Sequence, residues 1–154
     1  MQISSLLQPA AVKVISQAVS KKRLFQELGD LANQAYGMSA AETTDALQER
    51  ESLGPTGVGH GVALPHARLH GLNRVCGIFI RLERPLDFDA VDRQPVDLVF
   101  ALLAPTTSGV DHLKALALVS RTMRNAEVCA KLRANLDPAP LHAVLAGAAG
   151  VRAA

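Results

Sequence analysis

Two apolar runs constrain this chain more than any other feature. Residues 75–82 read VCGIFIRL and residues 95–105 read PVDLVFALLAP, with little alternation between apolar and polar positions. A strand with one wet face alternates, whereas a strand apolar on both faces belongs inside a sheet covered by helices. Pro85 stops the first run, and Pro95 and Pro105 bracket the second, so both are strand-length. The segments around them read as helices. Residues 20–36 set Leu24, Leu28, Leu31 and Ala35 on one face, with Ser20 as N-cap and Gly37 as the left-handed terminator. Ser39 and Glu42 have the spacing of a capping box and open a helix over 40–53 that Gly54-Pro55 ends. A helix over 109–123 is expected to carry Leu113, Leu116, Ala117, Ser120 and Met123 on one stripe. Shorter helices follow over 126–134, behind Asn125, and over 138–146, behind Asp137 with Pro138 in the first turn. Helices, then strands, then helices predict a single α/β domain with a mixed β-sheet flanked by helices on both faces. The domain is expected to span 1–146, with the GAAGVRAA stretch at 147–154 as a fraying tail.

Composition removes several function classes. A chain of 154 residues that is 49% hydrophobic, with a formal net charge of +2, is not disordered. Sixteen basic against fourteen acidic residues give no basic face for nucleic acid, and 3% aromatics without Trp give no stacking platform. No run approaches the roughly 18–20 apolar residues of a membrane helix. The basic cluster near the N-terminus follows the apolar stretch, the reverse of a secretory signal, so a cytoplasmic location with reduced thiols is expected. Cys76 and Cys129 are too few for a disulfide framework or a four-cysteine zinc site and read as small buried hydrophobes.

Residues 54–71, GPTGVGHGVALPHARLHG, differ in kind: five glycines, two prolines and three histidines crowd one segment. Such a stretch is poor in helix and suits a site better than a scaffold. It is not a Walker loop, which needs four residues between its glycines and then Gly-Lys-Ser/Thr. It is not a dinucleotide fingerprint either, because Val62 stands where the third glycine would be. Nor does any Ser occupy a G-x-S-x-G elbow. What remains is a glycine loop running into Val62-Ala63-Leu64-Pro65-His66, which holds one imidazole at a strand end. From the residues alone, His66 is either structural or functional. Arg50 is a solvated helix end or a partner of His66, and His112 is an idle helix-start histidine or another partner. His60, His66, His70 and His112 also admit a metal reading, although no Cys or acidic residue completes a good ligand set.

The stretch Arg50-Glu51-Ser52-Leu53-Gly54-Pro55-Thr56-Gly57-Val58-Gly59-His60-Gly61-Val62-Ala63-Leu64-Pro65-His66 resembles the signature of the type-2 IIA domains of the bacterial phosphoenolpyruvate:sugar phosphotransferase system. The resemblance continues through PVDLVFALLAP and HLKALALVSRTMRN and covers about residues 1–146. The LGPTGVGHGVALPHAR wording and the free-standing length are most similar to the nitrogen-regulatory branch. Pro55 departs from the small polar residue more usual there and should stiffen the loop.

The resemblance implies a phosphocarrier with the mixed-sheet fold of that family. His66 would accept a phosphoryl group, at Nε2, from the histidine of an HPr-like carrier (NPr), itself charged by enzyme I-Ntr from phosphoenolpyruvate. Arg50 and His112 fall where the family supports that group, and Thr56, Gly57, Gly59, His60, Gly61 and Pro65 form the site loop. No metal or cofactor, nucleic acid or membrane insertion is implied. Regulated targets would be proteins such as potassium transporters or sensor kinases. One alternative is a fructose- or mannitol-type IIA component passing phosphate to a separate IIB protein. Another is a non-catalytic or metal-binding module. The physics suits the first role. Phosphoryl transfer through a loose transition state needs positioning and positive donors, which Arg50 and a helix N-terminus near His112 can supply.

Overall fold

A computed structural model describes residues 1–153, with side chains as far as residue 147. The chain runs α1 (Ile3–Leu6), β1 (Leu7–Ile15), α2 (Lys21–Tyr36), α3 (Ala40–Ser52), β2 (Gly57–Gly59), β3 (Val62–Ala63) and β4 (His66–Leu69). It continues through β5 (Cys76–Leu86), β6 (Val96–Pro105), α4 (Val110–Met123), α5 (Ala126–Arg133) and α6 (Pro138–Ala153). Among the described residues the strands form one sheet in the order β1-β5-β6-β3-β2, and β4 pairs farther along β6 than β3 does. β5 and β6 are antiparallel, as are β2 and β3, while β1–β5, β3–β6 and β4–β6 are parallel. The sheet is therefore mixed.

The two apolar runs form its centre. Every residue of Cys76–Ile80 and of Leu98–Pro105 is buried, which requires cover on both faces. Phe79 opposes Phe100 edge to face, with ring centroids 6.1 Å apart. Helices α2 and α3 pack on each other and on β1, β4 and β5; α4, α5 and α6 make a second packed group on β6 and β1, with α1 against it. The caps that set the helix starts are formed: Ser20 Oγ accepts from the Arg23 N–H at 3.0 Å, Ser39 Oγ from Glu42 at 3.2 Å, and Gly37 closes α2 at φ 70°.

Several expectations need correction. The sequence marks no element over residues 1–19, yet β1 lies there, irregularly buried and interrupted by a register shift between Leu7 and Val12. Tyr36 holds β1 to its neighbour across that irregularity. Its hydroxyl donates to Gly77 O at 2.6 Å and accepts the Gln8 N–H at 3.1 Å, and burial pushes its pKa up to about 12. Tyr36→Phe should cost roughly 1–2 kcal/mol in denaturant unfolding; an unchanged midpoint would show that β1 does not depend on this hydroxyl. Pro85 does not stop β5. The strand runs on to Leu86, because residues 83–85 are exposed and sit in a register shift where no ladder N–H is needed.

The α4 stripe is also rotated from its expected setting. Leu113 is 67% exposed, and the buried face is His112, Ala115, Leu118, Val119, Thr122 and Met123. Leu113 and Leu116 are both apolar, so periodicity alone admits two neighbouring stripes, and the one selected carries the histidine inward. Helix α6 extends past 146 to Ala153; the expected fraying over 147–154 falls mostly on residues outside those whose side chains are described. Cys76 and Cys129 are free and buried, and desolvation pushes both thiols up, so neither is a reactive thiolate. Among the described residues no helix is long and apolar enough to cross a membrane.

Candidate functional site

His66 is the first residue of β4, directly after Pro65, whose carbonyl accepts the Leu102 N–H at 2.9 Å. Its imidazole is half-buried, with Nδ1 lying 3.0 Å from Leu64 O. A carbonyl can only accept, so Nδ1 carries the proton and Nε2 holds the free lone pair. The peptide that imposes this tautomer is itself held. The Leu64 N–H donates to Thr56 O at 2.9 Å, and Thr56 is clamped by Glu51, its N–H on Oε2 at 3.0 Å and its hydroxyl on Oε1. Glu51 pairs in turn with Lys21 at 2.8 Å, and that ammonium sits 4.5 Å above the Phe88 ring. The end of α3 thus fixes the donor nitrogen of His66 through the Glu51 carboxylate and the backbone of Thr56 and Leu64.

Beside the ring lies an open pocket of about 430 Å³. Glu49 and Arg50 line it from one face of α3 and Leu53 from the cap of that helix, His66 and Arg68 from β4, and His112 from α4. Arg50 Nη1 donates to Gly54 O at 3.0 Å, which holds the guanidinium at the C-terminal end of α3 and leaves its other N–H groups for a ligand. His112 is the third residue of α4, only 7% exposed, with its ring centroid 5.8 Å from that of His66 in an edge-to-face arrangement. Among the described residues neither of its ring nitrogens has a hydrogen-bond partner. Burial first, and then the Arg68 guanidinium and the neighbouring His66 ring, push its pKa down, so the ring is neutral near pH 7. Gly109 caps α4 without a side-chain bond, and Gly109, Val110 and Asp111 line a separate depression with Leu72, Asn73 and Arg74 rather than the His66 pocket. The pocket combines a nucleophilic nitrogen, two guanidinium groups and a neutral ring N–H.

Of the residues singled out on sequence, Arg50, His66 and His112 meet, and Pro65 precedes His66. The glycine loop does not line the pocket. Gly57 and Gly59 are β2, and His60-Gly61 is a two-residue turn with φ 57° and 79°, the left-handed pair of a type I′ hairpin. Its glycines serve packing: a Cβ on Gly61 would meet Arg133 Nη2 at 2.5 Å, and one on Gly57 would meet Ala90 Cβ at 2.8 Å. The His60 N–H donates to Asp92 and its carbonyl accepts from Arg133. Val62, at the foot of this hairpin, pairs with Leu98, whereas His66 pairs with Leu102, about 13 Å farther along β6 at ~3.3 Å per residue. Thr56 acts one step back, through Leu64. His60 and His70 stay out of the pocket, and among the described residues no three His, Cys, Asp or Glu side chains gather to hold a metal ion. Sequence reasoning passed over Arg68. The signal was available, because residues i and i+2 of a strand share a face, and His66-Ala67-Arg68 alternates half-buried, buried, exposed.

A histidine with Nδ1 bonded to a backbone carbonyl, two arginines and a second, buried histidine thus border one pocket of a mixed α/β domain. The chain belongs to the phosphoenolpyruvate-dependent sugar phosphotransferase system EIIA 2 family, whose model matches residues 5–147. It is 45% identical over 146 residues to the nitrogen regulatory protein of Bradyrhizobium diazoefficiens, with 95% of each chain covered. The crystal structure of nitrogen regulatory protein IIA-Ntr from Neisseria meningitidis matches it with a TM-score of 0.84 at 36% identity, over 93% of this chain and 98% of that one. IIA mannitol from Escherichia coli, at 18% identity and a TM-score of 0.74 over 90% and 98% of the two chains, shares the fold.

Proposed function

We propose that this chain is a regulatory phosphocarrier of the nitrogen-related phosphotransferase system. His66 Nε2 accepts a phosphoryl group from the phosphohistidine of an HPr-like carrier (NPr), charged by enzyme I-Ntr from phosphoenolpyruvate. The phosphorylation state of His66 then decides which cytoplasmic regulatory targets the chain engages, potassium transporters and sensor kinases being the kinds to test. The observation that carries this reading is the Nδ1–H bond to Leu64 O, which leaves Nε2 as the only nucleophilic atom of the ring.

The chemistry balances without a metal or nucleotide. Nε2 forms a bond to phosphorus as the donor's P–N bond breaks, and the donor imidazole leaves with the electron pair. The His66 ring, now substituted at Nε2 and still protonated at Nδ1, becomes cationic. Its bond to Leu64 O is charge-assisted from then on, so it is stronger in the product and transition state than in the free protein. Arg50 offers parallel N–H groups to the phosphoryl oxygens, and the neutral His112 ring offers a further N–H. Incubating the chain with phosphoenolpyruvate, enzyme I-Ntr and NPr should add about 80 Da to its intact mass, the mass of one phosphoryl group on a nucleophilic side chain. No gain with an active donor would refute the reading.

His112 assists in this scheme and does not accept. His112→Ala should leave His66 phosphorylatable but slower by roughly tenfold or more, with His112→Gln, which keeps an N–H donor, recovering part of the loss. A phosphoryl group mapped to position 112 would reverse the assignment. A pH signature accompanies the role. Because the folded-state pKa of His112 is lowered, the unfolded chain binds more protons just below the ordinary histidine value of about 6.5, and stability falls as pH drops through that window. His112→Gln should flatten that part of the unfolding free-energy profile. An unchanged slope would show that the buried ring does not titrate there.

A further inference from the structure

Arg68 has no part in the scheme above, and its placement is informative. It stands two residues after His66 on β4, on the same face of the strand, and borders the same pocket. Its side chain is exposed, and its guanidinium rests on the backbone carbonyl of Ser108, one residue before the Gly109 cap of α4. Its charge is felt at His112, on the far wall of the pocket. Apart from Ser108 O the guanidinium has no hydrogen-bond partner among the described residues. A bond to one carbonyl uses a small part of a five-donor fork.

We propose that Arg68 is a second phosphoryl-binding cation: it swings from Ser108 O onto the phosphoryl group once that group is on His66 Nε2. The inference rests on the phosphocarrier reading and adds a catalytic residue to it. A phosphoryl group on nitrogen presents three oxygens. One guanidinium engages two of them in a bidentate pair, so Arg50 alone leaves the third to whatever cation stands on the β4 side. Arg68 is the cation on that side. Glu49, also on the pocket wall, would repel a dianion, and the second arginine offsets it. Arg68 is exposed and parked on another acceptor, so it is less preorganised than Arg50. Its removal should therefore matter less than removal of a fixed donor, on the order of tenfold in the transfer rate.

The test uses the full chain, NPr and enzyme I-Ntr, and compares wild type, Arg68→Ala and Arg68→Lys. Wild type must first gain its phosphoryl group on His66; failure there defeats the phosphocarrier reading and is separate from the present question. Given that gain, Arg68→Ala should slow acceptance by about tenfold and shorten the lifetime of the phosphohistidine, while thermal unfolding of the unmodified protein stays close to wild type. Arg68→Lys should restore part of the rate. In wild-type protein the Arg68 Nε–H resonance should move on phosphorylation. Wild-type rates and lifetime in Arg68→Ala, or an Arg68 resonance that does not respond to phosphorylation, would each overturn the proposal.

Discussion

His66→Ala loses phosphoryl acceptance completely and keeps its fold. The nucleophile is a single atom, Nε2, and no neighbour can replace it. His112 is buried with a neutral ring, and the other histidines lie outside the pocket. The structural cost is small for equally local reasons. The His66 side chain makes one hydrogen bond, to a carbonyl two residues away, and β4 is held to β6 by backbone pairing from His66↔Leu102 to Leu69↔Pro105, which alanine preserves. Truncating a central core residue such as Phe100, which is 0% exposed, should instead cost ~3–5 kcal/mol. Intact mass after charging and a thermal melt check both halves. A mass gain retained in His66→Ala would move the acceptor elsewhere, and a collapsed melt would make the imidazole structural.

The second large effect belongs to Arg50. Arg50→Ala should lower the rate of phosphoryl acceptance roughly 10²–10³-fold without moving the site, the usual consequence of losing one preorganised donor. The preorganisation is visible in the bond from Nη1 to Gly54 O, which fixes the guanidinium before any phosphate arrives. Arg50→Lys keeps the charge but loses the fork and with it the simultaneous hold on Gly54 and the phosphoryl oxygens, so it should recover only part of the rate. The Gly54 contact also closes the end of α3, so both variants should lose about 0.5–1.5 kcal/mol of stability. Rate constants from single-turnover transfer, read beside unfolding midpoints, separate the two contributions. Unchanged transfer in Arg50→Ala would reduce this side chain to a helix cap.

Much of this was legible in the sequence where one physical demand dominated. Unbroken apolar runs announced β5 and β6, because only a doubly covered strand tolerates them. Ser20, Gly37, Ser39 and Asn125 marked helix ends because their side chains or backbones satisfy groups the helix leaves open. Legibility failed where tertiary pairing decides. β1 carries Pro9 and a broken burial pattern, and it is a strand only because β5 and Tyr36 supply its partners. Within 54–71 a glycine loop running into one strand that ends at His66 is expected, yet the segment divides into β2, β3 and β4, with His66 opening a strand, since strands of two to four residues are too short to show a period. The same brevity misdirected attention to the glycines near His60, whose task is a tight turn packed against Asp97 and Arg133. Arg50, His66 and His112 come together because α3, β4 and α4 all end or begin at one side of the sheet. Spacing along the chain cannot show that convergence.

The account stands or falls on which nitrogen of which ring carries the phosphoryl group. Long-range proton–nitrogen NMR of the charged protein, with the His66 ring assigned through His66→Ala, resolves both. The account predicts a phosphorus coupling at Nε2 of His66, with the Nδ1 proton retained in its bond to Leu64 O. Phosphorus coupled to Nδ1, or to a ring nitrogen of any other histidine, would contradict it.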